Sequence, residues 1–159
     1  MMNPSTNLKN NFYFKKILKY CSLSIRSNFE VTKKLDSFEN IEEELKKEIL
    51  NFFTKINVVV SDEEFINYYL QNLSGNKGYS YNQLYAKLGK KIGNQSLLRN
   101  ILKNFFKENE ISQIQKFVEK NQRKLLRMDS DQKRINYLIQ RGFSYELSKK
   151  SIKNITYNI

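Results

Sequence analysis

The sequence predicts an all-α fold, arranged as three tandem three-helix repeats that form an elongated, curved array. Helix-breaking residues are scarce, with one proline and five glycines in 159 residues, so few interruptions are expected inside the chain. Apolar residues recur at helical spacing, as in Ile41, Leu45, Ile49, Phe52 and Ile56, and this spacing predicts an apolar stripe on each helix. No Asn-Gly or Asp-Gly pair is present, so β-hairpins are not expected.

Three Ser-x-x-Glu/Gln sequences mark helix starts, at Ser27–Glu30, Ser61–Glu64 and Ser80–Gln83. In such a capping box, each side chain accepts a hydrogen bond from the other residue's backbone amide, which has no partner within the helix. Together with the apolar stripes, the boxes predict nine helices, at residues 12–22, 27–36, 40–56, 61–73, 80–91, 94–107, 111–127, 130–141 and 144–155. The one strand candidate, residues 57–60, is too short to change the fold class.

The nine helices group in threes, and a weak internal repeat supports this grouping. Leu35, Leu88 and Leu138 hold similar places at separations of 53 and 50 residues. The predicted boundaries are a disordered N-terminal tail at residues 1–11 and three-helix repeats at residues 12–57, 58–108 and 109–159. A unit of this length barely supports its own core, so each repeat is expected to pack on its neighbour and to leave one long face exposed.

The charge of the chain is strongly positive and unevenly distributed. Twenty-eight Lys and Arg against 16 Asp and Glu give a net charge of +12, which favours a polyanionic or acidic partner, nucleic acid first. No acidic residue lies between Glu64 and Glu108, although seven basic residues do. An AT-rich coding sequence would also enrich Lys, Asn and Ile, but it would not by itself separate the two signs of charge.

The side chains needed for catalysis or metal binding are absent or dispersed. The chain has no histidine, which excludes imidazole-dependent triads and mixed Cys/His zinc sites. Its one cysteine, Cys21, cannot form an intramolecular disulfide and indicates a reducing compartment. Asp62 and the two glutamates after it fit the first turn of a helix better than a metal site. We therefore expect no enzyme activity, no cofactor and no metal.

The N-terminal region lacks the features of a membrane anchor. Lys15, Lys16 and Lys19 interrupt its apolar stretch, so neither a signal peptide nor a membrane span is expected. A cytoplasmic, monomeric protein without membrane contact is the expectation. Beside Lys77 and Lys87, the side chains of Tyr79, Tyr81 and Tyr85 suit either stacking on unpaired bases or packing on a half-buried helix face, of which packing is the commoner arrangement.

Three sequence segments resemble the RecX family of RecA regulators. Residues 137–146, Tyr-Leu-Ile-Gln-Arg-Gly-Phe-Ser-Tyr-Glu, look like the family's closing motif, in which a helix ends at Arg-Gly-Phe-Ser and a last helix follows. Residues 61–70 are similar to the opening of its second repeat, and residues 17–30 match more loosely. The motif residues with an expected structural role are Ser61, Asp62, Phe65, Leu88, Leu138, Arg141, Gly142, Phe143 and Ser144. Gly142 is suited to a left-handed helix C-cap.

The resemblance implies a fold of three tandem three-helix repeats and a role in DNA repair. RecX proteins bind RecA and its nucleoprotein filament and limit recombinase and co-protease activity, so RecA and the RecA-DNA filament are the expected partners, with direct DNA contact as a further expectation. The residues expected to contact the filament or DNA are Lys87, Lys90, Lys91, Arg99, Lys103, Arg123, Lys124, Arg127 and Arg134. The alternative is an independent DNA-binding protein of helix-turn-helix type, which would read base edges in duplex DNA.

Overall fold

Helices make up nearly all the regular structure in the computed structural model, which describes residues 6–73 and 77–156. Within these residues the elements, in chain order, are α1 Thr6–Asn10, α2 Phe12–Cys21, β1 Arg26–Ser27, α3 Asn28–Asp36, α4 Glu43–Lys55, β2 Val59–Val60, α5 Asp62–Asn72, α6 Tyr81–Leu88, α7 Gln95–Leu126, α8 Asp131–Gln140 and α9 Tyr145–Thr156. The all-α fold class predicted from the sequence is confirmed.

All three predicted capping boxes form, and each one begins a helix. In the first, the Ser27 hydroxyl accepts a hydrogen bond from the Glu30 amide at 3.1 Å, and the Glu30 carboxylate accepts one from the Ser27 amide at 3.4 Å. The same pair of bonds joins Ser61 to Glu64 and Ser80 to Gln83. The boxes therefore fix the starts of α3, α5 and α6, where the first amides would otherwise lack partners.

The chain divides into two compact units, which we call the first and the second unit. The first unit comprises Met1–Tyr68 together with Lys91–Asn94, and the second comprises Tyr69–Lys90 together with Gln95–Ile159. The boundaries of the three expected repeats, at residues 57/58 and 108/109, are not the boundaries of these units. The three-repeat arrangement therefore stays a prediction.

The core of the first unit is formed by α1 to α4 and the strand β2. Its largest fully buried side chains are Phe53, Ile17, Leu35 and Ile49. Leu8 of α1 is also buried in this core, so residues 6–10 differ from the disordered tail that was expected at residues 1–11. The remaining part of that tail, residues 1–5, lies outside the described residues.

The expected strand candidate at residues 57–60 does form a short β-strand. Val59 and Val60 pair in parallel with Arg26 and Ser27, and the Arg26 amide donates to the Val58 carbonyl at 3.1 Å. Asn57 has a φ of 56°, a left-handed conformation that asparagine tolerates better than most residues. The chain can therefore leave α4 and enter β2 without a glycine.

Helix α7 is one helix of 32 residues, so the prediction of separate helices at 94–107 and 111–127 is wrong. The cause is a change in the buried face. Leu98, Leu102 and Phe106 are buried in its first half, and Ile114, Val118 and Leu125 in its second half. Between Leu98 and Ile114 the helix turns through roughly 1600°, which leaves the two stripes about 160° apart. A stripe that changes face resembles two helices in the sequence.

The second unit uses both buried faces of α7. Helix α6 packs on α7, and its Leu84 and Leu88 are fully buried, as are Leu98 and Leu102. Helices α8 and α9 pack on each other, and α9 also packs on α7. Their core contains the apolar side chains of the second half of α7 and residues of the closing motif, namely Ile114, Val118, Leu125, Ile135, Leu138, Phe143 and Ile152. Within residues 6–73 and 77–156, no helix has the length and apolar content needed to cross a membrane.

Candidate functional site

The basic residues from the end of α6 to the first half of α7 are divided between the two units, because Lys91 belongs to the first unit and the others belong to the second. Lys87 and Lys90, at the end of α6, belong to the second unit and are exposed. Arg99, Lys103 and Lys107 follow at four-residue spacing on α7 and are exposed as well, so they form one cationic stripe along the first half of that helix. The Arg99 guanidinium lies 5.7 Å from the centre of the Tyr85 ring.

Lys87 is held between two tyrosines while its side chain remains exposed. Its Nζ lies 5.1 Å from the centre of the Tyr79 ring, 5.9 Å from that of Tyr69, and 3.5 Å from the Tyr79 hydroxyl. Hydrogen bonding to Tyr69 is the largest influence on the pKa of Lys87 and raises it. Lys87 is therefore a fixed positive charge at physiological pH.

Lys91 has its interactions inside the first unit. Its Nζ lies 3.2 Å from a carboxylate oxygen of Glu30, whose side chain is 9% exposed, and 5.6 Å from the centre of the Phe65 ring. The Lys91 carbonyl accepts a hydrogen bond from the hydroxyl of the buried Ser27. Lys91 thus neutralises a largely buried carboxylate, and this structural role makes it a poor candidate for a partner contact.

Arg134 is likewise committed to the fold. Its Nε donates to the Leu125 carbonyl at 3.0 Å, and one Nη donates to the Met128 carbonyl at 2.8 Å. The other Nη pairs with Asp131 at 2.5 Å. Its side chain is 17% exposed, and it binds the Leu125 carbonyl in the last turn of α7 and the Met128 carbonyl just after the helix. The arginine that was expected to contact a partner is thus a helix cap.

Arg123, Lys124 and Arg127 lie exposed at the end of α7. Lys124 Nζ lies 4.4 Å from the centre of the Tyr137 ring and 3.3 Å from its hydroxyl. All three line one recess of about 670 Å³. Of the expected contact residues on the second half of α7, these three remain available to a partner.

The tyrosines beside the basic segment are packed. Tyr81 and Tyr85 lie with parallel rings at 6.2 Å, and Tyr81 also meets Phe106 edge-on at 5.9 Å. The Tyr79 amide donates to the side-chain oxygen of the buried Gln113 at 3.1 Å. The packing alternative described above therefore fits Tyr81 and Tyr85.

Asp62 and Phe65, from the 61–70 segment, both lie in the first unit, where Asp62 joins α5 to residues 93 and 94. One Asp62 carboxylate oxygen accepts hydrogen bonds from the amides of Gly93 at 2.8 Å and Asn94 at 2.9 Å, directly before α7 begins. Phe65 is buried. Asp62 is thus a capping residue, and no group of three or more Cys, Asp or Glu side chains that could hold a metal ion occurs in the described residues.

The closing motif forms a helix–turn–helix joint as expected. The Phe143 amide donates to the Leu138 carbonyl at 3.3 Å, and the Gly142 amide donates to the Ile139 carbonyl at 2.8 Å, which is the Schellman pattern. Gly142 has a φ of +94°. The Arg141 carbonyl accepts a hydrogen bond from the Ser80 hydroxyl at 2.7 Å.

The other motif residues complete the joint. Leu138 and Phe143 are buried in the α7–α9 core. The Ser144 hydroxyl accepts a weak hydrogen bond from the Leu147 amide at 3.4 Å at the start of α9. The motif therefore ends α8, turns the chain and starts α9 by local hydrogen bonds, and the bond from Ser80 to the Arg141 carbonyl joins it to the start of α6.

The contact residues expected from the sequence did not include Lys77, Lys116 or Lys120, which lie near Lys124 and Arg141. Lys116 and Lys120 precede Lys124 at four-residue spacing on α7, and Lys77 lines the same recesses as Lys120. Arg141 lines one of those recesses and lies 5.1 Å from the Tyr137 ring centre. The four-residue spacing of the lysines was the signal that could have identified this group.

Among solved structures, the crystal structure of RecX from Lactobacillus salivarius has a fold similar to that of this chain. The match has a TM-score of 0.67 and covers 97% of this chain and 99% of that chain, at 18% sequence identity. A likeness at this level of identity shows a shared fold. No protein-family model matches the chain, and no curated protein matches it.

Proposed function

We propose that this protein is a non-catalytic regulator that binds the RecA recombinase and its filament on DNA and inhibits recombination, ATP hydrolysis and co-protease activity. The fold match to a RecX protein over almost the full length of both chains is the observation that carries the proposal. The Arg-Gly-Phe-Ser joint at residues 141–144 supports it. On this view the protein acts as a cytoplasmic monomer in DNA repair and the SOS response.

The exposed cations of the second unit are the proposed contacts. A partner that presents carboxylates or phosphates gains charge-assisted hydrogen bonds from them, and arginine is suited to bind either group with two bonds. Lys90, Arg99 and Lys103 are exposed, and none of them forms an ion pair with another described residue. Lys91 and Arg134 are better explained by the buried interactions given above. The proposed contact set therefore centres on Lys90 and the first half of α7.

The test measures the single-strand-dependent ATPase activity of RecA from the same organism while this protein is titrated in. We expect activity to fall at less than one molecule per RecA protomer, because one bound regulator can affect a filament segment. A variant carrying Lys90→Glu, Arg99→Glu and Lys103→Glu should require a higher concentration for the same inhibition. Lys91 is left unchanged, because its loss would remove one of the two basic partners of the largely buried Glu30, the other being Arg26.

The matched control reverses three exposed lysines of α9, with Lys149→Glu, Lys150→Glu and Lys153→Glu. It removes the same net charge from the same unit, so it should inhibit like the unmodified protein if the contacts are specific. Equal inhibition by all three proteins would support RecA regulation but refute this contact set. No effect on RecA, together with tight binding that distinguishes duplex sequences, would favour the helix-turn-helix alternative.

A further inference from the structure

A continuous groove runs along the second half of α7, inside the second unit. We name it the lysine groove and define it by the basic residues that line it, which are Lys77, Lys116, Lys120, Arg123, Lys124, Arg127 and Arg141. It consists of recesses of about 560, 290 and 670 Å³. Lys120 lines all three recesses, so they adjoin one another and form one path across the surface.

The groove is cationic and its charges are regularly spaced. Three of its lysines recur every four residues on α7, which places their Cα atoms about 6 Å apart along the helix axis. The acidic residue that lines it is Glu119. Among residues 6–73 and 77–156, no ion pair involves Lys77, Lys116 or Lys120. These ammonium groups are therefore free to meet negative charges of a ligand.

The aromatic rings at the groove already have cations as neighbours. Lys87 lies near the Tyr79 ring, and both Lys124 and Arg141 lie near the Tyr137 ring, at 4.4 and 5.1 Å from its centre. A nucleobase that stacked on either ring would compete with these contacts. Recognition of a charged backbone fits the groove better than recognition of bases.

We propose that the lysine groove binds the sugar-phosphate backbone of single-stranded nucleic acid, without sequence preference and without RecA. A flexible single strand can follow a recessed path, whereas a duplex is a stiff rod that favours an open face. Lysines act as point charges that suit successive phosphates of a backbone. Four of the seven basic residues that line the groove are lysines, and three of these lysines recur at a constant spacing along α7, which favours a repeating phosphate backbone over an acidic polypeptide.

The test is a fluorescence anisotropy titration of the protein alone against a labelled oligothymidylate. Binding should weaken with salt in proportion to the number of phosphates neutralised, with a slope of log K against log salt of about −0.7 for each. Four contacts predict a slope of about −3. A variant with Lys116→Gln, Lys120→Gln and Lys124→Gln should bind at least about tenfold more weakly and have a slope lower by about 2.

The matched control carries Lys149→Gln, Lys150→Gln and Lys153→Gln, which remove the same charge from exposed positions on α9. It should keep the slope of the unmodified protein. An equal loss of affinity in both variants would show that binding depends only on the net charge of the protein, and it would overturn the proposal. Stronger competition by polyglutamate than by unlabelled oligothymidylate would assign the groove to an acidic protein segment, and stronger competition by duplex would assign it to double-stranded DNA. Because the assay contains no RecA, its failure leaves the proposed function standing.

Discussion

Replacement of Arg134 by methionine distinguishes a helix cap from a partner contact. In the structure its guanidinium donates to the Leu125 and Met128 carbonyls and pairs with Asp131. Hydrogen bonds from a charged donor contribute about 1.5 kcal/mol each at the lower end of their range. The ion pair with the half-exposed Asp131 adds at most about 1 kcal/mol. Arg134→Met should therefore lower the free energy of unfolding by about 3 kcal/mol.

Urea denaturation followed by far-UV circular dichroism measures this loss, and Tm should fall by about 6–12 °C. Arg134→Lys should recover part of it, because one ammonium group can still bind one of the two carbonyls. The control is Arg127→Met, which removes an exposed arginine near the same helix end and should change stability by less than about 0.5 kcal/mol. If Arg134→Met were as stable as Arg127→Met but lost its effect on RecA, Arg134 would be a contact residue and the cap argument would be refuted.

Three further changes test the joints and the buried thiol. Gly78→Ala should cost about 3 kcal/mol or more in urea denaturation, because the new Cβ would lie 1.8 Å from the Gln113 carbonyl oxygen on α7 and no rotamer can relieve that contact. Asp62→Ala should lower the free energy of unfolding by about 1–2 kcal/mol in the same assay, because the amides of Gly93 and Asn94 lose their acceptor. Asp62→Asn keeps an acceptor oxygen and should lower it less. Burial raises the pKa of Cys21 from 9.0 to about 11, so the unfolded thiol ionises first and stability should decrease as pH rises through this range. A Cys21→Ala protein that showed the same decrease would contradict that assignment.

Local hydrogen-bonding signals were the most predictable part of the fold. The boxes at Ser27, Ser61 and Ser80 each form, since a capping box depends on residues only three positions apart. In the Arg-Gly-Phe-Ser joint at residues 141–144, the hydrogen bonds from the Gly142 and Phe143 amides to α8 are equally local. Such features can be predicted from sequence because no tertiary partner has to be known.

Features that depend on tertiary packing were predicted less well. Two helices were predicted in place of α7 because the apolar stripes of its two halves lie on different faces. Only the packing of α6 and α9 on α7 explains why one helix buries both faces. Lys91 and Arg134 are basic, as contact residues for an acidic partner would be. Yet Lys91 pairs with Glu30, and Arg134 binds two backbone carbonyls. The sequence spacing does not indicate either interaction. The sequence alone does not show whether a basic side chain is available to a partner or is bound to other groups within the fold.

The change of buried face in α7 restricts how the length of this helix can vary. One residue inserted between Phe106 and Gln113 would rotate everything after it by about 100° and move it by about 1.5 Å, so Ile114 and Val118 would leave the core that they share with α8 and α9. An insertion of seven residues would rotate the second half by only about 20°, but it would move that half by about 10 Å along the axis. Gln113 would then lose the hydrogen bond from the Tyr79 amide. Both the face and the length of the middle of α7 are therefore fixed by the packing of the second unit, and related chains should keep the same number of residues there.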